Sequence, residues 1–152
     1  MAFNRFYVIS PLALIAVSAC RSPFVAQNAV NGAVVKGPLN NALVFLDYDD
    51  DGILDASEPF ARTNSFGEYE LTATQNAYTL IAMADDQTVD TSSGAALSGI
   101  TLKAPSGAAV ITPTTTLMEE GNITAAEVAA VLDLPDGIDP LSFNPFNVDE
   151  ND

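Results

Sequence analysis

The sequence contains no histidine, no tryptophan and a single cysteine, and each absence excludes some chemistry. Without histidine these residues cannot form a Ser-His-Asp triad, a Cys-His pair or a histidine-ligated zinc site. The lone Cys20 allows no internal disulfide bond. The absence of tryptophan also weakens an interpretation as a sugar-stacking surface. Catalysis by a nucleophile and its base is therefore not predicted, and we expect a protein that is not an enzyme.

Basic residues are also scarce. The 152 residues include 5 lysines and arginines against 20 aspartates and glutamates, for a net charge of −15. Nucleic acids and anionic membrane surfaces are bound through basic patches, so neither is a predicted partner. The charge favours cations instead. Because 48% of the residues are apolar, the chain can still bury the core of one domain with a small appendage.

The first twenty residues, MAFNRFYVISPLALIAVSAC, are typical of an export signal. Arg5 supplies the positive start, and residues 6–17 form a mostly apolar stretch. This stretch is shorter than the roughly 20 apolar residues of a membrane-spanning helix. We therefore predict a signal peptide over residues 1–20, a linker over 21–28, and a protein that is exported to the bacterial cell surface or outer membrane, or secreted.

The end of this signal, Val17-Ser18-Ala19-Cys20, resembles the lipobox of bacterial lipoproteins. The resemblance implies a lipid on Cys20, which would be the only attachment of the protein to a membrane. The alternative is ordinary cleavage after Ala19, which would leave Cys20 as an incidental thiol.

A twelve-residue segment, residues 47–58, has the spacing of a calcium-binding loop. Acidic residues stand at positions 1, 3, 5, 9 and 12, and glycine stands at position 6. Calcium binds about six to eight oxygen ligands, which alternate residues of a tightly coiled loop can supply. The predicted ligands are Asp47, Asp49, Asp51, Asp55 and Glu58, with the backbone carbonyl of Ile53 at position 7. The alternative is a solvated acidic turn, because Asp and Gly are common in turns.

The sequence on both sides of the loop predicts strands rather than the two helices of an EF-hand. Residues 42–46 are rich in β-formers, and residues 67–72 alternate between apolar and polar side chains. Further strands are predicted from the turn residues that separate them, and together they favour a mainly β fold, a sandwich over residues 29–112. The predicted strands are 29–35, 42–46, 67–72, 78–84, 100–103 and 108–111.

Residues 113–152 are predicted to form short helices and a mobile tail. One helix is expected over 114–120, and a second over 125–132 because Thr124 and Glu127 have the spacing of a capping box. The segment resembles those that follow such sandwiches in large secreted bacterial proteins.

The sandwich region itself also resembles a family. The run VVKGPL at residues 34–39, ALVFLD at 42–47, the acidic loop and TNSFGEY at 63–69 are similar to the calcium-binding B-type repeats of serine-aspartate adhesins and to carboxypeptidase-regulatory-like domains. The resemblance implies a prealbumin-like β-sandwich and a structural role.

Two functions follow as expectations. The first is a calcium-binding structural or adhesive module of a bacterial surface protein. The alternative is a carbohydrate- or protein-binding module whose recognition face calcium orders, with Tyr48, Phe60 and Tyr69 as contacts, although these aromatic residues are also typical of core packing. The expected partners are thus calcium and a surface protein or glycan.

Overall fold

The computed structural model describes residues 28–146. The predicted signal peptide, Cys20 with its lipobox, and most of the predicted linker lie outside the described residues, as do the last six residues of the predicted tail.

Within residues 28–146 the chain forms ten strands followed by two helices. The strands are β1 (Asn28–Val34), β2 (Leu39–Asn40), β3 (Leu43–Asp47), β4 (Phe60–Arg62), β5 (Glu68–Ala73), β6 (Thr79–Ala84), β7 (Thr88–Asp90), β8 (Ala95–Leu97), β9 (Ile100–Pro105) and β10 (Val110–Ile111). The helices are α1 (Pro113–Gly121) and α2 (Ala125–Val131). The predicted mainly β fold with a small C-terminal helical appendage is confirmed.

The strands form two main sheets and one small one. One main sheet has the order β10-β1-β5, and the other has the order β4-β3-β6-β9. The small sheet has the order β2-β7-β8. Apolar side chains of both main sheets meet in the main core, which is the arrangement of a β-sandwich.

Strand β5 shows how the sequence places this core. Tyr69, Leu71 and Ala73 are buried, whereas the residues between them are exposed. Successive side chains of a strand point to opposite faces, so alternation in the sequence buries one face and solvates the other. The strands of the second sheet supply the facing side chains, including Val44 and Leu80, both fully buried.

Four strands are absent from the sequence prediction: β2, β4, β7 and β8. Each has only two or three residues. A segment this short carries no visible alternation, and tertiary pairing decides its conformation. Strand β4, for example, is extended because it pairs antiparallel with β3.

The two helices begin where the sequence places capping residues. Thr124 and Glu127 form the predicted capping box of α2. Helix α1 starts one residue earlier than predicted, at Pro113, because proline is well suited to the first helical position and Thr112 caps the helix. In the described part of the chain, no helix has the length and apolar character needed to span a membrane.

A buried threonine fastens α1 to the sandwich. The fully buried Thr115 donates a hydrogen bond from Oγ1 to the carbonyl oxygen of Lys103 in β9, at 2.7 Å. Thr115 Oγ1 itself accepts a hydrogen bond from the backbone N–H of Thr112, at 2.9 Å. The helix is therefore tied to both β9 and its own first turn.

We expect Thr115→Val to lower the free energy of unfolding by about 2 kcal/mol, because it keeps the shape of the side chain, leaves the buried N–H of Thr112 without its acceptor and removes the shorter of the two hydroxyl bonds to the carbonyl oxygen of Lys103. Urea unfolding followed by circular dichroism measures the loss. Thr114→Val is the matched control, since Thr114 is only half-buried, and we expect a change within about 0.5 kcal/mol. Equal losses in the two variants would contradict this role of Thr115.

Candidate metal centre

The acidic loop connects two paired strands, so its ends are held together. Strand β3 ends at Asp47, and β4 begins two residues after Glu58. The backbone N–H of Leu46 donates to the carbonyl oxygen of Pro59 at 3.1 Å, which closes the base of the loop. As predicted from its flanks, the loop joins strands and not helices.

Asp47 organises the first half of the loop. Its side chain is buried, with 1% exposed, although it is charged. Both carboxylate oxygens accept hydrogen bonds from the backbone: Oδ1 from the N–H of Asp50 at 2.7 Å, and Oδ2 from the N–H of Gly52 at 2.8 Å. Asp50 and Gly52 have left-handed backbones, with φ of 62° and 76°. Asp47 thereby holds the chain in a tight coil.

Glu58 closes the second half of the loop in the same way. It is 6% exposed. Its Oε1 accepts a hydrogen bond from the N–H of Tyr48 at 2.8 Å, and its Oε2 accepts one from the N–H of Asp55 at 2.9 Å. Positions 1 and 12 of the predicted calcium loop are therefore brought to its centre.

The structure brings three of the predicted ligands into one group. Carboxylate oxygens of Asp47, Asp49 and Glu58 all lie within 4.8 Å of one another. Asp51 and Asp55 are exposed and lie outside this group, and Asp51 uses Oδ1 to accept a hydrogen bond from the N–H of Ile53 at 2.7 Å. The Ile53 side chain is 64% exposed. The three grouped carboxylates could hold a metal ion.

The charges of this cluster lack a protein cation. Neither ion pair found in the described residues, Arg62 with Asp85 and Lys103 with Glu120, involves a loop residue. Partial desolvation of the crowded loop, followed by repulsion from Asp51, raises the pKa of the Asp49 carboxyl above its ordinary value. The folded loop therefore concentrates negative charge, and a bound cation would reduce the repulsion between its carboxylates.

No family model, curated protein or solved structure matches the chain. The resemblance to serine-aspartate B-type repeats accordingly stays a prediction, and the site must be judged on its own geometry.

The three aromatic residues predicted as contacts of a recognition face differ in how far they are exposed. Tyr69 lies in the core. Tyr48 is half-buried, packs edge-on against Tyr78 with ring centroids 6.5 Å apart, and accepts a hydrogen bond from the N–H of Thr74 at 2.9 Å. Only Phe60, with 62% of its surface exposed, is available to a partner. Tyr48 instead anchors the start of the loop to the residue that follows β5.

Sequence reasoning missed the second role of Asp47 and Glu58. The spacing identified both as ligands but not as the acceptors that coil the loop. The sequence did contain a signal for this role. Asp47 and Glu58 each stand close to the apolar end of a strand, where a charged residue is buried only if it is hydrogen-bonded.

Proposed function

We propose that this protein is an exported calcium-binding structural module of a bacterial surface protein. The observation that carries the proposal is the group of Asp47, Asp49 and Glu58, in which two members are buried carboxylates from opposite ends of one loop. Backbone hydrogen bonds offset the cost of burying Asp47 and Glu58, but the three carboxylates still repel one another at this distance, and a cation between them would offset that repulsion.

Calcium fits the donor set better than a transition metal. All three grouped ligands are carboxylates, and hard oxygen ligands suit calcium and magnesium, whereas zinc and copper favour nitrogen and sulfur. The number of further oxygen donors in the loop favours calcium, which takes about six to eight oxygens in variable geometry, whereas magnesium demands near-ideal octahedral geometry. Asp51, Asp55 and the carbonyl of Ile53 are the donors that would complete the coordination.

The hydrogen bonds already made by the loop are compatible with metal binding. Each carboxylate oxygen can accept two bonds, and those of Asp47 and Glu58 each accept one from the backbone. One direction on each oxygen therefore stays available to a cation. The backbone donors would orient the ligands before the metal arrives, which lowers the cost of ordering them.

The position of the loop supports a structural role. It joins β3 to the short strand β4 at one edge of the four-stranded sheet. A cation that binds only the folded loop adds stability by mass action, by about 2.7 kcal/mol at one hundred times the dissociation constant. Export would place the protein where calcium is abundant.

We expect Asp49→Asn to weaken calcium binding at least tenfold while leaving the calcium-free protein at least as stable as the wild type. Asp49 is exposed, so its substitution removes a ligand charge without disturbing the core. Isothermal titration calorimetry and thermal melting of the full chain, in chelator and in millimolar calcium, measure the two effects.

Asp86→Asn is the matched control for this experiment. Asp86 is also an exposed aspartate, but it lies outside the loop, so the variant changes net charge equally and should keep the wild-type response. A wild-type protein whose melting temperature is the same with and without calcium would refute the proposed function and leave an ordinary acidic turn.

A second candidate function is binding of a surface protein or glycan next to the loop. Two exposed aromatic residues favour it: Phe60, two residues after the end of the loop, and Phe66, which is 72% exposed at the turn between β4 and β5. Phe66 also lines a groove of about 640 Å³ together with polar residues such as Asn31 and Glu70. In this function calcium would stabilise the edge of the sheet that carries the contacts.

A further inference from the structure

The crevice between the metal loop and helix α1 has acidic walls. It has a volume of about 350 Å³ and is lined by residues of the loop, β6, β9 and α1. Its charged residues are Asp47 and Asp50 from the loop and Glu119 from the helix, and no lysine or arginine of the described chain lines it. Asp50 is not a predicted metal ligand, so the helix faces a part of the loop that the sequence pattern leaves unexplained.

The end of α1 that reaches this crevice is itself negative. The last turn of α1 contains no basic residue, and the carboxyl end of a helix has a partial negative charge. Burial, together with the charge of Asp50, raises the pKa of Glu119, and Lys103 opposes this effect only in part. Docking of the helix therefore adds negative charge to a loop that already concentrates it.

The hydrogen bonds that hold α1 to β9 lie in the first half of the helix. Thr115 and Thr116 are hydrogen-bonded to the backbone of Lys103 in β9. Thr115 Oγ1 donates to the carbonyl oxygen of Lys103, and the N–H of Lys103 donates to Thr116 Oγ1 at 2.9 Å. Met118 is buried, but Glu119 in the next position opposes Asp50. The docking of the second half of the helix is thus sensitive to the charge of the loop.

We propose that a cation in the loop tightens the docking of helix α1 onto the sandwich, an inference that rests on the proposed function. The two positive charges of the cation offset part of the negative charge of the loop, so the net repulsion that the loop, including Asp50, exerts on Glu119 falls and opposes the docked helix less. Coupling between two equilibria is reciprocal. The factor by which calcium favours docking is therefore also the factor by which the docked helix, through the charge of Glu119, raises the affinity for calcium.

Hydrogen exchange of the full chain, followed by mass spectrometry in chelator and in saturating calcium, tests this coupling. In the wild type we expect calcium to slow exchange of the α1 amides about twofold to fivefold, the range of a partly exposed charge pair. In Glu119→Gln we expect slow exchange of α1 already in chelator and no further slowing by calcium. Calorimetry should show that the variant binds calcium about twofold to fivefold more weakly.

Glu120→Gln is the matched control. Glu120 is the neighbouring residue on the same helix end, but it pairs with Lys103 at 3.5 Å and does not line the crevice. This variant should keep the calcium-dependent slowing of α1. If it loses the slowing as Glu119→Gln does, the effect belongs to helix-end charge in general and the inference is overturned.

Two other outcomes separate the inference from the function on which it rests. If calorimetry detects calcium and the loop amides are slowed, but α1 exchanges equally fast with and without calcium, the coupling is refuted and the metal site stands. If no calcium binding is detected in the wild type, the proposed function and the coupling both fail.

Discussion

Asp47→Ala is expected to lower the free energy of unfolding by about 2 kcal/mol in chelator and by about 5 kcal/mol in calcium at one hundred times the dissociation constant. In chelator the variant loses the hydrogen bonds that Asp47 accepts from the N–H groups of Asp50 and Gly52. Bonds to charged acceptors are worth about 1.5–3 kcal/mol each, but relief of repulsion with Glu58 offsets part of this loss.

Calcium enlarges the loss because only the wild type gains the binding energy. At the stated concentration that energy is about 2.7 kcal/mol, which the variant without its first ligand forgoes. Urea unfolding of both proteins in the two conditions measures the four free energies. The difference between conditions isolates the metal, because the loss of hydrogen bonds is common to both.

Asp47→Asn distinguishes the role of Asp47 as a metal ligand from its role as a hydrogen-bond acceptor in the fold. The amide keeps the volume of the side chain and one acceptor oxygen, so one of the two backbone bonds can persist. In chelator we expect Asp47→Asn to lower the free energy of unfolding by less than Asp47→Ala does. In calcium we expect both variants to lack nearly the same amount of metal-dependent stabilisation. An Asp47→Ala loss that is identical in chelator and in calcium would mean that Asp47 is only a structural acceptor.

The parts of this protein that could be predicted from sequence are those with a local cause. The alternation of residues 68–73 predicts β5, and the spacing of Thr124 and Glu127 predicts the start of α2. The spacing of the acidic residues in segment 47–58 likewise predicts a metal-binding loop there. In each case neighbouring residues in the chain determine the outcome, so a pattern of fixed period reveals it.

The parts that could not be predicted depend on contacts that are distant in sequence. Strand β4 exists through its pairing with β3, and the crevice beside the loop exists because α1 packs against β9. The division of the five predicted acidic ligands into a central group of three and two members outside it also depends on how the loop coils in three dimensions. The register names six donors, but only the backbone geometry shows that Asp51 is turned toward the N–H of Ile53.

Gly67→Ala is expected to lower the free energy of unfolding by about 3 kcal/mol, the second largest effect among these substitutions. Gly67 lies at the turn by which the chain passes from β4 in one main sheet to β5 in the other. Its φ of 80° is strained for any residue with a Cβ. A Cβ there would also stand 2.7 Å from the carbonyl oxygen of Val34, which is closer than real contacts allow.

The neighbouring backbone has little freedom to move away from that contact. The carbonyl oxygen of Gly67 accepts a hydrogen bond from the N–H of Val34 at 2.8 Å, and Val34 is fully buried. A shift that relieved the clash would therefore break a bond between the turn and the end of β1. This contact therefore holds the turn before β5 against the end of β1, its neighbour in the same sheet.

Gly94→Ala is the control that separates clash from strain. Gly94 has a φ of 72°, but a Cβ there would meet no atom within 4 Å. We expect it to cost about 1 kcal/mol, from the left-handed backbone alone. Urea unfolding in chelator compares the two variants without any contribution from a metal. If Gly67→Ala costs no more than Gly94→Ala, the close approach of the turn to the carbonyl oxygen of Val34 does not constrain residue 67.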